Sequence, residues 1–162
     1  MAAVWDTTLA SQIKVGSRHY LYCVERFATA EPVLIAAGAV LETAYGYERA
    51  IGRRPEFAAL FEQFREDVVG EAICRVLPMD GLAAFVAGRL FARSMPPARR
   101  RDKRSKAMQG RAWRLDIQIA ATCWAAGHDV ATENTGDFER IAAAIAELYP
   151  GVPVLAVSGA PC

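Results

Sequence analysis

The sequence is poor in the residues that build soft-metal, disulfide and nucleophilic sites. It has only two histidines, His19 and His128, and four cysteines that lie far apart with no CxxC pair. Neither histidine has the spacing of a zinc ligand pair or an evident Ser or Cys partner, and the cysteines suggest no disulfide framework. We therefore expect a protein of the reducing cytoplasm in which both histidines are structural or surface residues.

Long apolar runs and nucleotide-binding loops are also absent. The longest apolar run, residues 33–41, is too short to span a bilayer. The first three residues lack the basic and apolar regions of a secretory signal. No GxxxxGK[ST] or GxGxxG stretch occurs. The sequence thus predicts a soluble protein with no membrane segment, and it gives no support to a P-loop or dinucleotide site.

The length and composition fit one globular domain. The 162 residues are 53% hydrophobic and 23% charged, and a chain of this size buries about two thirds of its unfolded surface. We predict a single domain over residues 1–157, followed by a loose tail at 158–162.

Positive charge is concentrated in one block. Residues 93–114 hold nine Lys and Arg against one Asp, a local balance of +8, so the rest of this chain of net charge +1 carries −7. Such a block indicates contact with a polyanion. The alternative is a solvated loop with no ligand, and the block alone does not separate the two.

Apolar runs and turn residues predict strands that alternate with helices. The strands are expected near 2–5, 33–36, 72–77, 128–132 and 153–157, and the helices over 17–29, 38–51, 55–69, 81–93, 115–126 and 138–148. Residues 99–106, which follow Pro96-Pro97, are predicted to form a loop. The alternation favours an α/β fold: a three-layer α/β/α sandwich around a five-stranded parallel sheet with right-handed crossovers.

Acidic and amide side chains lie at the predicted carboxyl ends of the strands. Asp6 closes the first strand, Asp116 opens the helix before the fourth, and Asn134 and Asp137 follow the fourth. Ligands of open α/β sheets bind at this edge, and hard divalent cations take oxygen ligands. Helix capping explains each aspartate singly and stays open as an alternative.

Glu42 gives a reason to group these acids. On a helix it shares a face with the small or apolar residues Gly38, Ala39, Tyr45 and Gly46, which predicts a buried carboxylate with a partner. Carboxylates that gather at one edge repel each other, whereas a bound divalent cation keeps them ionised. Such a cation activates water and stabilises charge on a phosphate, as in metal-dependent nucleases.

Four segments, 4–11, 40–46, 115–121 and 132–138, read VWDTTLAS, VLETAYG, LDIQIAA and TENTGDF. They resemble, in order, the motifs hhDTNhhS, hxELxxG, hDxhIAA and TRNxxDF, where h is apolar, of the PIN-domain ribonucleases, and within them of the VapC-type toxins of bacterial toxin–antitoxin pairs. The sequence departs from these motifs at Thr8, where Asn or Ser is usual, and at Glu133, where Arg is common. Asn134 occupies a position that is Asp in some members.

The resemblance implies a Mg²⁺- or Mn²⁺-dependent endoribonuclease with a five-stranded parallel sheet, inhibited by a cognate antitoxin and forming a homodimer. It implies that Asp6, Glu42 and Asp116 bind one or two cations, with Asn134 or Asp137 completing the metal site, and that Asp6, Glu42, Asp116 and Asp137 are catalytic. The basic block would then bind the RNA backbone. Its candidate residues are Arg99, Arg100, Arg101, Lys103, Arg104, Lys106, Arg111 and Arg114.

Two other classes of protein stay open. One is a phosphatase with Asp6 as nucleophile, although Thr8 stands where that class has a second Asp. The other is a non-catalytic interaction module that keeps the fold but has a degraded site, which the changes at Thr8 and Glu133 leave possible.

Overall fold

The computed structural model of the chain describes residues 3–94, 96–97 and 105–161. Five strands form one sheet in the order β3-β2-β1-β4-β5, with every pair parallel. The strands are β1 Ala3–Trp5, β2 Val33–Ala36, β3 Cys74–Leu77, β4 Asp129–Ala131 and β5 Val157–Ser158. The predicted five-stranded parallel sheet is therefore confirmed. Because the strand order reverses on either side of β1, a crevice forms beyond the carboxyl ends of β1 and β4.

Seven α-helices surround the sheet within the described ranges. They are α1 Thr7–Ala10, α2 Arg18–Ala28, α3 Ala37–Ile51, α4 Phe57–Phe64, α5 Gly81–Arg93, α6 Lys106–Ala125 and α7 Thr135–Leu148. A π-helical turn, Arg65–Val69, continues α4. Side-chain caps fix two of the predicted starts: Ser17 Oγ accepts from the amide of Tyr20 at 3.1 Å, and Asp80 Oδ1 from that of Ala83 at 2.8 Å.

One contiguous apolar core joins the strands to the helices. Val4 and Ile35 of the central strands are fully buried, as are Ile117 of α6 and Phe138 of α7. Each such side chain contributes about 1.5–3 kcal/mol on burial, so α6 and α7 are anchored through their apolar faces. His19 is structural, because it is buried with its ring edge-on to Trp5 at 5.7 Å between centroids.

The end of the chain differs from its prediction. The last strand lies at Val157–Ser158 rather than at 153–157, and Ser158, expected in a loose tail, belongs to it. The carbonyl of Ser158 accepts from the amide of Thr132 at 3.0 Å. Pairing with β4 satisfies backbone groups that a tail would leave to water, which is why the strand forms here.

The helix that carries Asp116 is longer than predicted. It begins at Lys106 instead of Leu115, with Ser105 as its cap, so Lys106 is helical rather than in a loop. The good helix formers Ala107, Met108 and Gln109 extend the helix through its basic first half. The other basic residues that were predicted to bind RNA from this loop, at positions 99–101, 103 and 104, lie outside the described residues. No helix within the described ranges is long and apolar enough to cross a bilayer.

Candidate active site

A cleft of about 290 Å³ opens beyond the carboxyl ends of β1 and β4. It brings together all five of the predicted ligand residues: Asp6, Glu42, Asp116, Asn134 and Asp137. Pro96, Pro97 and residues of α6 complete its wall. The acids that the sequence distributes over four motifs therefore share one solvent-accessible site.

Asp6 is held rigidly at the floor of the cleft. Its side chain is 1% exposed. Its Oδ1 accepts from the Thr8 hydroxyl at 2.7 Å and from the amides of Thr8 and Leu9 at 3.0 and 3.3 Å. Its Oδ2 accepts from the Thr132 hydroxyl at 2.7 Å. Burial raises the pKa of Asp6 above its ordinary value, and these hydrogen bonds oppose that rise. Asp6 thus caps α1, as the capping interpretation predicted, and also lines the cleft.

Thr8 orients the Asp6 carboxylate. Its hydroxyl donates to Asp6 and accepts from the backbone amide of Glu133 at 2.9 Å. The hydroxyl therefore ties the end of β1 to the segment after β4. An aspartate nucleophile would need a second acid at this position, so the geometry around Thr8 does not favour the phosphatase alternative.

Glu42 has the partner that its position predicted. The hydroxyl of Thr7 donates to Glu42 Oε2 at 2.7 Å. The predicted burial is wrong in degree, because Glu42 is half-buried: its helix face opens onto the cleft instead of packing entirely into the core. Since Thr7 follows Asp6 directly, this bond fixes α3 against the end of β1.

Asp116 lies in the middle of α6 rather than at its start. The capping interpretation is therefore wrong for this residue, since a mid-helix carboxylate has no orphan amide to satisfy. Its neighbours one turn earlier, Ala112 and Trp113, line the same cleft. The half-buried Asp116 is thus presented to the site by the face of a long helix.

Asn134 and Asp137 act as a pair. The Asn134 amide nitrogen donates to Asp137 Oδ2 at 2.9 Å, and the Asn134 backbone amide donates to the Thr132 hydroxyl at 2.8 Å. Asp137 is buried in the first turn of α7, where the helix dipole favours a carboxylate. The sequence analysis left open which of these two residues completes the metal site, and the structure joins them through a hydrogen bond.

Comparisons with known proteins give matches of structure only. No protein-family model matches the chain, and no curated protein sequence matches it. Among solved structures, a chain of VapBC2 from Rickettsia felis, bound to a DNA fragment from its promoter, is similar to this one. The alignment covers 99% of this chain and 99% of that chain, with TM-score 0.61 and 14% identity. DNA-bound VapBC from Salmonella typhimurium aligns over 98% of each chain, with TM-score 0.59 and 21% identity.

The chain has a PIN-like fold. In this PIN-like fold the site lies where the strand order reverses. Two residues that the sequence analysis did not identify hold its acidic side chains in place. Thr132, which is fully buried, connects Asp6 to Asn134, and Thr7 connects α1 to Glu42. Both are hydroxyl residues within two positions of a strand end, and that position was the available signal for a role in orienting the acids.

The donor set of the PIN-like cleft fits a hard divalent cation. Four carboxylates, the amides of Asn134 and Gln109 and three hydroxyls offer oxygen atoms, and the described lining includes no cysteine or histidine. Nevertheless, across residues 3–94, 96–97 and 105–161 no three acidic, His or Cys side chains stand arranged as a closed metal-binding group. The chemistry of the donors therefore fits Mg²⁺ or Mn²⁺, while the side chains are not drawn together as a finished coordination sphere.

The described basic residues differ in their relation to the cleft. Lys106, Arg111 and Arg114 are all exposed on α6. The Arg114 guanidinium lies 5.9 Å from the Phe91 ring centroid, toward α5, whereas that of Arg111 lies 3.9 Å from the Tyr45 ring centroid, beside the cleft. Trp113 is a packing residue, since it is buried and its indole N–H donates to the carbonyl of Ser94 at 3.0 Å.

Proposed function

We propose that the protein is a metal-dependent endoribonuclease and the VapC-type toxin of a toxin–antitoxin pair. One observation carries the proposal: the five oxygen-donor residues predicted from the sequence all line one cleft at the strand-order switch of a PIN-like fold. Capping accounts for Asp6, and the helix dipole accounts for Asp137 in the first turn of α7. Neither gives a reason for Glu42 and Asp116, which lie inside helices, to face the same space.

Asp6, Glu42 and Asp116 would bind one or two Mg²⁺ or Mn²⁺ ions, assisted by Asp137 or Asn134. When bound, a cation of this kind lowers the pKa of a coordinated water and offsets charge that develops on a phosphate. The chain's own contribution is to hold the donors in place before substrate arrives. Thr8 and Thr132 fix the Asp6 carboxylate, Thr7 fixes Glu42, and Asn134 fixes Asp137.

The substrate would be an RNA strand that enters over the basic half of α6. Exposed Lys and Arg neutralise backbone phosphates in a salt-dependent way without reading sequence. Because single-stranded bases are the usual targets of sequence-specific RNA recognition, we expect cleavage in single-stranded regions. The cognate partner would be an antitoxin protein that blocks the cleft, and the homodimer stays a prediction.

Cleavage of RNA by the purified protein tests the enzymatic proposal. We expect Mn²⁺ to support the cutting of single-stranded RNA, EDTA to stop it, and Asp116→Asn to lower the rate by about 100-fold or more, since even indirect metal partners are worth about 10- to 100-fold. Asp80→Asn is the control: it makes the same substitution at an aspartate that is exposed, caps α5 and does not line the cleft. Equal loss in both variants would contradict the assignment.

Cation binding has a readout that is independent of activity. Mn²⁺ at about 100 times its Kd should stabilise the fold by about 2.7 kcal/mol, seen as a rise in Tm. Asp116→Asn should lose most of that rise and Asp80→Asn should keep it. A full rise in Tm without any RNA cleavage would favour the non-catalytic interaction module.

Expression in a bacterial host tests the toxin proposal. We expect growth arrest that Asp6→Ala abolishes and that co-expression of the neighbouring upstream gene relieves, with new RNA ends mapped during arrest. Arrest that persists in Asp6→Ala would mean that cleavage at this site is not its cause.

A further inference from the structure

A second cavity adjoins the cleft between α3 and α6. It is a groove of about 120 Å³, and it shares the side chains of Glu42 and Ala112 with the cleft. Its other polar lining residues are Tyr45, Arg49 and Arg111. The two cavities are therefore neighbouring parts of one surface, acidic on the cleft side and basic on the groove side.

Helical spacing places these side chains opposite each other. On α3, Leu41, Tyr45 and Arg49 recur every fourth residue and form one stripe along the helix. On α6, Met108 and Arg111 lie three residues apart and form the facing wall. The groove thus has an apolar portion beside a pair of arginines.

The aromatic ring of Tyr45 organises the two arginines. The Arg111 guanidinium lies 3.9 Å from the ring centroid, and that of Arg49 lies 5.7 Å from it. Hydrogen bonding to Arg111, and then its positive charge, lowers the pKa of the Tyr45 hydroxyl. A guanidinium that stacks on a ring keeps its N–H edge available for a phosphate and loses less freedom on binding than a solvated one.

Neither arginine is neutralised by an acid in the part of the chain that the structure describes. Other surface arginines have carboxylate partners there: Arg26 pairs with Glu31 at 2.6 Å and Arg65 with Glu62 at 2.7 Å. No such ion pair is formed by Arg49 or Arg111 among the described residues. The groove therefore presents positive charge that suits an anion from outside the chain.

Large side chains with apolar surface lie exposed beside these charges. Leu41 is 53% exposed, Met108 46% and Tyr45 40%. Exposed apolar surface next to cations matches the chemistry of a nucleotide, which combines a phosphate with a flat base.

We infer that this groove binds the nucleotide adjacent to the one whose phosphodiester is cut, with Arg49 and Arg111 on its phosphate and Tyr45, Leu41 and Met108 around its base. The inference rests on the proposed ribonuclease function and adds a specificity subsite to it. Continuity through Glu42 favours an RNA strand over a separate protein partner, because a strand seated in the cleft continues directly into the groove.

Binding of a labelled single-stranded RNA of mixed sequence tests the subsite, in an Asp116→Asn background that leaves the strand uncut. Arg111→Gln should weaken binding about tenfold, as expected for a charge-assisted hydrogen bond, and should lower the slope of log K against log salt by about 0.7. Arg53→Gln is the matched control, since Arg53 is exposed just beyond α3 and outside the groove. It should change binding by about twofold or less.

Binding of inorganic polyphosphate distinguishes contacts to the phosphate from contacts to the base, because this ligand has phosphates and no bases. Arg111→Gln should weaken the binding of both ligands, whereas Tyr45→Ala should weaken RNA about fivefold or more and polyphosphate much less. A circular dichroism melt checks that these exposed changes leave the fold intact.

Each outcome bears on one proposal in a distinguishable way. If the wild-type protein cleaves RNA but Arg111→Gln and Tyr45→Ala leave RNA binding unchanged, the subsite is overturned and the ribonuclease proposal is not. Loss of binding to a co-expressed upstream gene product in these variants, with RNA binding unchanged, would make the groove a protein interface and also overturn the subsite. Absence of any wild-type RNA binding or cleavage would overturn both proposals.

Discussion

The two sides of the cleft are built in different ways. On the strand side, Asp6 follows β1, is almost fully buried and has four hydrogen-bond donors within the described chain. On the helix side, Glu42 and Asp116 project half-buried from α3 and α6. The strand side is therefore fixed by hydrogen bonds, and the helix side is fixed by how two helices pack.

Because of this difference, removing Asp6 and removing Glu42 should affect the stability of the fold unequally. Removing Asp6 leaves buried donors without an acceptor, and an unsatisfied buried group costs about 1–3 kcal/mol. Removing Glu42 leaves only the half-buried hydroxyl of Thr7 without its partner. The two acids should thus be equally important for cleavage and unequally important for folding.

The largest effects are expected from removing the acids themselves. Asp6→Ala and Glu42→Ala should each reduce RNA cleavage by about 100-fold or more. Asp6→Ala should also lower the free energy of unfolding by about 1–3 kcal/mol, because a cap and a buried acceptor are lost, whereas Glu42→Ala should change it by about 0.5 kcal/mol or less. Urea denaturation and cleavage assays measure the two quantities, and equal destabilisation would remove the distinction between the two sides.

Next in size is the buried hydroxyl that joins the strand ends. Thr132→Val removes the donor to Asp6 Oδ2 and the acceptor for the Asn134 amide, so cleavage should fall about 10- to 100-fold. Thr122→Val is the control, since the buried Thr122 hydroxyl donates only to the carbonyl of Gln118 within α6. Initial rates at matched folded fractions measure the effect, and equal activity in the two valine variants would argue against a positioning role for Thr132.

A smaller effect is expected at Thr7. Thr7→Val removes one hydrogen bond to the half-buried Glu42, and a bond of this kind to a charged group contributes about 1.5–3 kcal/mol when it is not weakened by solvent. With partial solvent access we expect a rise of about threefold in the Mn²⁺ concentration that gives half-maximal cleavage. Thr7→Ser, which keeps the hydroxyl, should restore the wild-type value; an unchanged requirement in Thr7→Val would show that helix packing alone places Glu42.

The smallest effect concerns the contact between the two helices. A Cβ added at Gly38 would lie 3.0 Å from Ile119 Cγ1, one turn beyond Asp116 on α6, whereas nothing lies within 4 Å of one added at Gly46. Gly38→Ala should therefore shift α3 against α6 and lower cleavage about twofold. Gly46→Ala should leave cleavage unchanged and stabilise α3 by about 0.5–1 kcal/mol. Loss of activity at Gly46 would show that the spacing of the helices is not what matters.

The sequence predicted the fold well because its signals were local. Apolar runs alternate with helical spacing, and Ser17 and Asp80 mark helix starts that the structure confirms. The last strand was predicted at 153–157 but lies at Val157–Ser158, because a strand that pairs only through these two residues is too short for an alternating pattern to mark its bounds. The start of α6 was not predicted, because the many charged residues over 99–106 are typical of a loop. Ala107, Met108 and Gln109 nevertheless favour a helix.

By itself, the sequence determined which acids stand at strand ends or on a small-residue helix face, and that a parallel sheet brings strand ends to one edge. Only the tertiary structure decided how they are held: Thr132 reaches Asp6 across 126 positions of sequence, and Thr7 reaches Glu42 across 35. It also decided that Asp116 faces the cleft from within a helix and that Arg111 stacks on Tyr45. The physical reason is that propensity and spacing act over a few residues, whereas hydrogen bonds between strand ends and contacts between helices exist only once the chain has closed on itself.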